Sequence, residues 1–114
     1  MLRRQERLVK QKDFDAAYRS GRTISNRLLT LKYSGNHLPY NRFGVVVSTK
    51  VDKRAVYRNK IKRRIRAVLA GQSQSLLPGT DFVLIAKKES GQANSADLAD
   101  GTKELLGRSG RRRP

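Results

Sequence analysis

The chain predicts a small α+β or α/β sandwich, because its segments follow in the order helix, strand, strand, helix, strand, helix. Residues 27–33 alternate apolar and polar side chains, which is typical of a half-buried strand. Residues 81–86 (DFVLIA) are nearly all apolar, as in a strand buried on both faces. Residues 56–70 repeat apolar side chains at helical spacing. We therefore expect a sheet covered mainly on one side.

The 114 residues suffice for one hydrophobic core, so we expect a single domain over residues 1–107. Within it, residues 1–11 are basic without clear periodicity and predict an extended N-terminal arm. Residues 108–114 are rich in Arg and predict a disordered tail. The chain has no Cys, which excludes disulfides, thiolate zinc sites and cysteine nucleophiles.

Membrane insertion is not expected, because no apolar run approaches the about 20 residues that span a bilayer. The first residues carry charge but no apolar segment, which argues against a signal peptide. These patterns predict a cytoplasmic protein.

The first helix is predicted to start at Asp13 as N-cap and to stop at Gly21. Asp15 is well placed for the helix dipole. The apolar face of this helix would comprise Phe14, Ala17 and Tyr18.

The first two strands are predicted over residues 27–33 and 42–48, joined by a loop rich in Gly, Asn and Pro. One face of each strand is apolar: Leu29, Leu31 and Tyr33 on the first, Phe43, Val45 and Val47 on the second. The basic helix over residues 56–70 would end at Gly71. The last helix, residues 95–106, contains Gly101, which costs about 1 kcal/mol relative to Ala and makes this helix marginal.

The formal net charge of +17 and the sequence pI of about 11.3 indicate a polyanionic partner. The charge is segregated along the chain. Nine Lys and Arg and one acidic residue lie in residues 50–66, whereas residues 67–107 carry three basic and five acidic side chains. A segregated charge of this kind is typical of a binding footprint.

The basic helix has two separate arcs when residues 57–70 are placed at about 100° per residue. The apolar arc comprises Tyr57, Ile61, Ile65, Val68 and Leu69. The other arc comprises Asn59, Lys62, Arg63 and Arg66, with Arg58 at its edge. The apolar arc is expected to be buried, which would hold the basic arc outward on a rigid support.

A solvated surface is the alternative interpretation of this basic arc. Like charges at i, i+3 and i+4 spacing repel one another, however, so binding of a polyanion is favoured. For Phe14, Tyr18 and Tyr33, core packing is the simpler interpretation from the residues alone, and base stacking is the other.

No catalytic constellation assembles from the sequence. His37, the only histidine, lies in a polar loop, and the acidic residues are too scattered for a two-metal nuclease site.

The run RNKIKRRIR, which starts at Arg58, resembles the signature of the bacterial ribonuclease P protein family. Four other segments occur in the order typical of that family: RLVKQKDF, SNR at Ser25 to Arg27, FGVVVSTKV, and DFVLIA. The resemblance covers about residues 6–88, and the ordered set is more specific than the signature alone. A ribosomal or other structural RNA-binding protein without a catalytic partner fits the composition equally well but lacks these motifs. A basic helix that binds a membrane surface is disfavoured, because its apolar arc is needed for the core.

The resemblance implies an αβββαβα-type sandwich like domain 2 of ribosomal protein S5, with a left-handed βαβ crossover through the basic helix. It implies a non-catalytic subunit of a bacterial, cytoplasmic ribonuclease P. The partners would be the catalytic RNA and precursor tRNA, with no membrane or DNA. Magnesium ions, bound mainly by the RNA, would serve in hydrolytic removal of the 5′ leader.

The resemblance also assigns two sets of side chains. The set against the catalytic RNA would be Arg58, Asn59, Lys62, Arg63 and Arg66. The set lining a cleft for the single-stranded leader would be Phe14, Tyr18, Tyr33, Ser48 and Lys50.

Overall fold

A computed structural model describes residues 2–114, apart from the Ser20 side chain, so that only residue 1 of the predicted arm lies outside it. Three short 3-10 helices occupy Arg4–Glu6, Ser73–Ser75 and Lys88–Gln92. The α-helices and strands are, in chain order, α1 (Gln11–Ser20), β1 (Arg22–Ser25), β2 (Leu29–Gly35), β3 (Arg42–Val46), α2 (Ala55–Gln72), β4 (Thr80–Ala86) and α3 (Ser95–Arg108).

The four strands form one mixed sheet in the order β1-β2-β4-β3. β2 pairs antiparallel with β1 and with β4, whereas β3 and β4 are parallel neighbours. The basic helix α2 connects these two parallel strands and is therefore a crossover connection. The order of α-helices and strands is αβββαβα, with one four-stranded sheet, which confirms the predicted α+β fold class.

The main core lies between one face of the sheet and helices α2 and α3. Leu29 and Leu31 of β2 are completely buried there, which confirms the face expected from the alternation in that strand. β4 is buried on both faces as predicted, with Phe82 and Leu84 in this core and Val83 on the opposite side.

Helix α1 covers the second face of the sheet with a much smaller apolar cluster. Its buried members are Leu8, Ala17 and Val83, and the half-buried Phe14, Val46 and Ile85 pack around them. The sheet is therefore covered mainly on one side, as the sequence predicted.

Helix α1 begins earlier than predicted, at Gln11, with Lys10 as N-cap. The prediction of Asp13 as N-cap was wrong, because its carboxylate instead accepts a hydrogen bond from Arg42 on β3 at 3.1 Å. Gly21 does end the helix, and its N–H donates to the carbonyl of Ala17. A Cβ at Gly21 would lie 2.3 Å from that oxygen, so only Gly fits this close approach.

Strand β1 was not predicted from its residues, although the resemblance implied a third strand. It is an edge strand whose side chains are mostly exposed, so it carries no apolar alternation. β2 starts at Leu29 rather than at residue 27, because the Asn26 side chain accepts hydrogen bonds from the Leu28 and Leu29 N–H groups and forms a turn.

The segment before α1 packs along the edge of the sheet rather than forming an extended arm. Leu2 and Leu8 are each only 5% exposed. The Leu8 N–H donates to the carbonyl of Phe43 at 2.8 Å. Arg7 also forms an isolated parallel β-bridge with Phe43. This pairing covers the otherwise free edge of β3.

The two long helices are both longer than predicted. α2 continues through Gly71, where nothing crowds the missing side chain, and ends at Gln72. α3 begins after Asn94, whose side chain accepts from the Asp97 N–H at 2.8 Å. Its stability despite Gly101 comes from packing, because Leu98, Leu105 and Leu106 are completely buried.

The prediction of a disordered tail over residues 108–114 was wrong. Arg108 belongs to α3. The Leu77 N–H donates to the Arg111 carbonyl, and the Arg113 N–H donates to the Ser75 carbonyl, both at 2.7 Å. The tail is ordered because it supplies hydrogen-bond partners to the backbone between α2 and β4.

Candidate nucleic-acid interface

Helix α2 is anchored by a narrow apolar stripe. Ile61, Ile65 and Leu69 are buried against the sheet, as the predicted arc requires. Tyr57 departs from that prediction, because it is 44% exposed at the start of the helix. The Arg54 guanidinium lies 3.8 Å from the centre of its ring, a cation–π contact.

The turn before α2 is held by its own charged side chains. Asp52 accepts two side-chain hydrogen bonds from Arg54 at 3.0 Å each, and these bonds lower the pKa of Asp52 below its usual value. Arg58 donates through Nη1 to the carbonyls of Asp52 and Lys53, at 3.0 and 2.8 Å. Arg58 thus stabilises the turn through Nη1. Its other guanidinium N–H groups are available to a ligand.

The outer face of α2 carries side chains without partners. Asn59, Arg63 and Arg66 are exposed and Lys62 is half-buried. None of the four donates a hydrogen bond or pairs with a carboxylate among the described residues. Of the nine basic residues between positions 50 and 66, only Arg54 has an ion pair in the part of the chain that the structure describes. The field of this face is therefore uncompensated.

Two further cations extend this face beyond the predicted set. Lys60 and Arg64 line a shallow groove together with Arg63 and Ala67. Their basic character was evident in the sequence, but they lie away from the arc of Asn59 and Lys62. The basic surface of α2 is therefore wider than the predicted arc, because it also includes Lys60 and Arg64.

A second groove, of about 610 Å³, separates α2 from the N-terminal segment. Its walls include Leu2 and Arg7 on one side and Arg63 and Arg66 on the other. The sequence did not predict that Arg7 would join the cations of α2, because the contact depends on the pairing of residues 7–8 with β3.

Helix α1 lies over one end of the second face of the sheet. The Phe14 ring sits on Gly44, where an added Cβ would be 2.6 Å from Phe14 Cε1. The next row of residues on this face, formed by Val46, Ile85 and Thr30, is half-buried and lies beyond the row on which Phe14 rests. This row is only partly covered, so the second face of the sheet keeps a partly open surface next to the helix, which we call the groove beside α1.

Tyr18 lies on the same helix as Phe14, and its side chain is 38% exposed. Lys32 of β2 places its Nζ 5.7 Å from the ring centre and also donates to Thr23 Oγ1 at 3.1 Å. Partial burial, assisted by the Asp15 carboxylate, raises the pKa of Tyr18 above its usual value. The hydroxyl therefore stays protonated and can donate.

Tyr33 does not belong to this groove. It lies on the opposite face of the sheet, where it packs on the main core and stacks with Phe82 at 6.3 Å between ring centres. Because side chains alternate along a strand, its neighbour Lys32 occupies the α1 face instead. The alternation of β2 already indicates these opposite positions of Tyr33 and Lys32, because it groups Tyr33 with Leu29 and Leu31.

Ser48 and Lys50 lie beyond the end of β3 and are exposed. The Ser48 hydroxyl accepts from the Lys50 N–H at 3.3 Å and shapes this turn. No hydrogen bond or ring contact among residues 2–114 joins either residue to Phe14 or Tyr18. They follow β3 past the open row of the sheet that contains Val46.

A buried charge network fixes α1 on the sheet. Arg42 donates two hydrogen bonds to Asp81, at 2.9 and 2.8 Å, and one to Asp13 of α1. Asn36 adds a 2.8 Å bond to the same Asp81 carboxylate. The bonds to Asp81 raise the pKa of Arg42 above its usual value. Helix α1 is therefore tied to strands β3 and β4 by ionic hydrogen bonds.

No group of three or more His, Cys, Asp or Glu among residues 2–114 could hold a metal ion. His37 is exposed in the loop between β2 and β3. No helix in this part of the chain is long and apolar enough to cross a membrane.

Comparison with known proteins gives a consistent result. A family model described as Ribonuclease P matches residues 2–110. The ribonuclease P protein component of Clostridium acetobutylicum is 36% identical over 109 residues, covering 94% of this chain and 91% of the relative. That of a Cyanothece species is 34% identical over 122 residues, covering 93% of each.

Solved structures agree with the sequence relatives. The RNase P protein of Staphylococcus aureus superposes with a TM-score of 0.88 at 27% identity, covering 95% of this chain and 98% of that one. The RNase P protein from Thermotoga maritima gives a TM-score of 0.81 at 27% identity, covering 90% and 96%.

Proposed function

We propose, from the premise that the chain belongs to the ribonuclease P protein family, that it is the protein subunit of ribonuclease P. In this role it binds the catalytic RNA and the 5′ leader of precursor tRNA, and so assists removal of the leader in the bacterial cytoplasm. The observation that carries the proposal is the set of unpaired cations on a rigidly anchored α2.

The exposed face of α2 would bind the catalytic RNA. Guanidinium groups suit this task because each can donate two parallel hydrogen bonds to one phosphate. Arg63 and Arg66 are free to do so, and Lys62 would add a point charge. Asn59 offers both a donor and an acceptor for a ribose hydroxyl or a base edge. Arg58 would act mainly by holding the turn before α2.

The groove beside α1 would hold the single-stranded leader. The exposed ring of Tyr18 and the edge of Phe14 offer stacking surfaces for unpaired bases. Lys32, rather than Tyr33, would contact the leader here, because its ammonium group lies beside Tyr18. Ser48 and Lys50 would contact the leader where it passes the end of β3.

The chemistry of cleavage would belong to the RNA. We assign the magnesium ions of the holoenzyme mainly to the catalytic RNA, as the resemblance to the family implies. The contribution of the protein would be electrostatic and positional: it would offset phosphate repulsion and orient the leader.

Cleavage of precursor tRNA by the matching catalytic RNA tests the proposal. At low magnesium concentration, addition of the protein should increase the rate of leader removal, because its cations replace screening that magnesium otherwise supplies. Absence of stimulation over a range of protein concentrations would refute it. The alternative of a structural RNA-binding protein without a catalytic partner is not favoured, because the family match spans residues 2–110.

A further inference from the structure

A polar pocket of about 660 Å³ lies where the C-terminal tail meets the sheet, away from both surfaces discussed above. It is bounded by the end of β2, the start of β4 and the turn after α3. The residues that matter to its chemistry are Arg22, Tyr33, Thr80 and Arg111. Tyr33 places the pocket on the α3 side of the sheet, opposite to α1.

The pocket is strongly electropositive. Two guanidinium groups line it, and none of the lining residues is acidic. Arg22 is exposed and makes no ion pair with a described residue. Arg111 donates from Nη2 to the Pro78 carbonyl at 3.0 Å, but its buried Nε donates to no atom of the described residues. A buried donor without an acceptor is costly, so the described residues leave the Arg111 guanidinium only partly satisfied.

Arg111 is held in place by the backbone and not by its charge. Its carbonyl accepts from the Leu77 N–H at 2.7 Å, and its own N–H donates to Ser109 Oγ at 3.3 Å. Tyr33 is equally fixed, because its ring stacks on Phe82. Arg111 and Tyr33 are thus positioned before any ligand binds, which lowers the entropic cost of binding.

We propose that this pocket binds a phosphate group of single-stranded RNA. Arg111 and Arg22 would donate to the phosphate oxygens, and Tyr33 would offer its hydroxyl or ring to the adjoining nucleotide. The pocket volume accommodates a nucleotide as well as an anion. This inference depends on the proposed function only in taking RNA as the polyanion, since the site is separate from α2 and from the groove beside α1.

The tail offers a matched control. Arg113 donates from its Nε to the Gln74 carbonyl at 3.1 Å and does not line the pocket. Arg113→Gln removes the same charge two residues away from Arg111. A difference between Arg111→Gln and Arg113→Gln therefore measures the site and not the net charge.

The test uses the whole ¹⁵N-labelled chain, titrated first with inorganic phosphate and then with an unstructured pentanucleotide of RNA. Amide signals of Arg22, Gly79 and Gly110 should shift and saturate with both ligands, at lower concentration with the RNA. Arg111→Gln should weaken these titrations by about tenfold, as expected for loss of a charged hydrogen-bond donor. Arg113→Gln should change them less than twofold.

Three results would overturn the inference. The first is a wild-type titration in which these amides do not respond, which requires no variant to fold. The second is equal weakening by the two substitutions, which would indicate a general charge effect. The third is saturation by phosphate with no tighter binding of RNA, which would assign the site to a free anion. Stimulation of precursor-tRNA cleavage is measured separately, so failure of this site would leave the proposed function standing.

Discussion

Removal of two unpaired cations from α2 should change the salt dependence of RNA binding by a calculable amount. Lys62 and Arg63 are neighbours on the outer face, and neither is committed to a carboxylate among the described residues. If each neutralises one phosphate, the double substitution to Ala removes two such contacts. The slope of log K against log salt falls by about 0.9 per contact on a duplex and about 0.7 on a single strand. The slope should therefore become shallower by about 1.4 to 1.8.

The assay is equilibrium binding of the catalytic RNA at several salt concentrations. Lys88→Ala with Lys103→Ala is the matched control, because both side chains are exposed and lie in the part of the chain that is net acidic. The control should leave the slope nearly unchanged. An unchanged slope in the Lys62 and Arg63 variant, or an equal change in the control, would refute the assignment of these cations to phosphates.

Three further predictions concern the groove and its support. Arg42→Met should lower the free energy of unfolding in urea by about 3–5 kcal/mol, because Asp81 is only 5% exposed and would keep an unpaired charge; the exposed Arg54→Met should cost much less, and equal losses would contradict the argument. Gly101→Ala should stabilise α3 by about 1 kcal/mol in the same assay, since its Cβ would have its nearest neighbour at 3.6 Å; a loss of stability would show that the site is crowded. Tyr18→Ala should weaken binding of precursor tRNA by about 1–3 kcal/mol while leaving mature tRNA unaffected, and equal losses for both substrates would restore the core interpretation of this ring.

Apolar periodicity predicted the parts of the fold whose burial follows from local pattern. Ile61 and Ile65 marked the buried side of α2, and DFVLIA marked the central strand β4. Strand β1 escaped prediction, because an exposed edge strand is specified by its pairing with β2 and not by its own side chains. Leu2 and Leu8 escaped for a related reason: their burial depends on contacts with distant parts of the chain.

The residue types of the candidate site could be predicted from the sequence better than their positions in space. The cations of α2 were evident because the buried residues that anchor this helix and the cations on its outer face belong to the same segment. The surface beside α1 instead combines a helix with a strand, and a one-residue difference on a strand changes the face. The assignment of Tyr33 to a cleft came from the resemblance, whereas the alternation of β2 groups Tyr33 with Leu29 and Leu31 and puts Lys32 on the opposite face. The tail could not be predicted either, since its order depends on hydrogen bonds between its backbone and residues 73–77.

The missing side chain at Gly44 has a consequence for redesign of the groove. Phe14 rests directly on that backbone, so the height of α1 above the sheet is set by the absence of one carbon atom. Gly44→Ala would displace the Phe14 ring from its seat on β3, because the new Cβ would lie 2.6 Å from Phe14 Cε1. Gly44 thus acts as a spacer that sets how closely the Phe14 ring approaches the sheet.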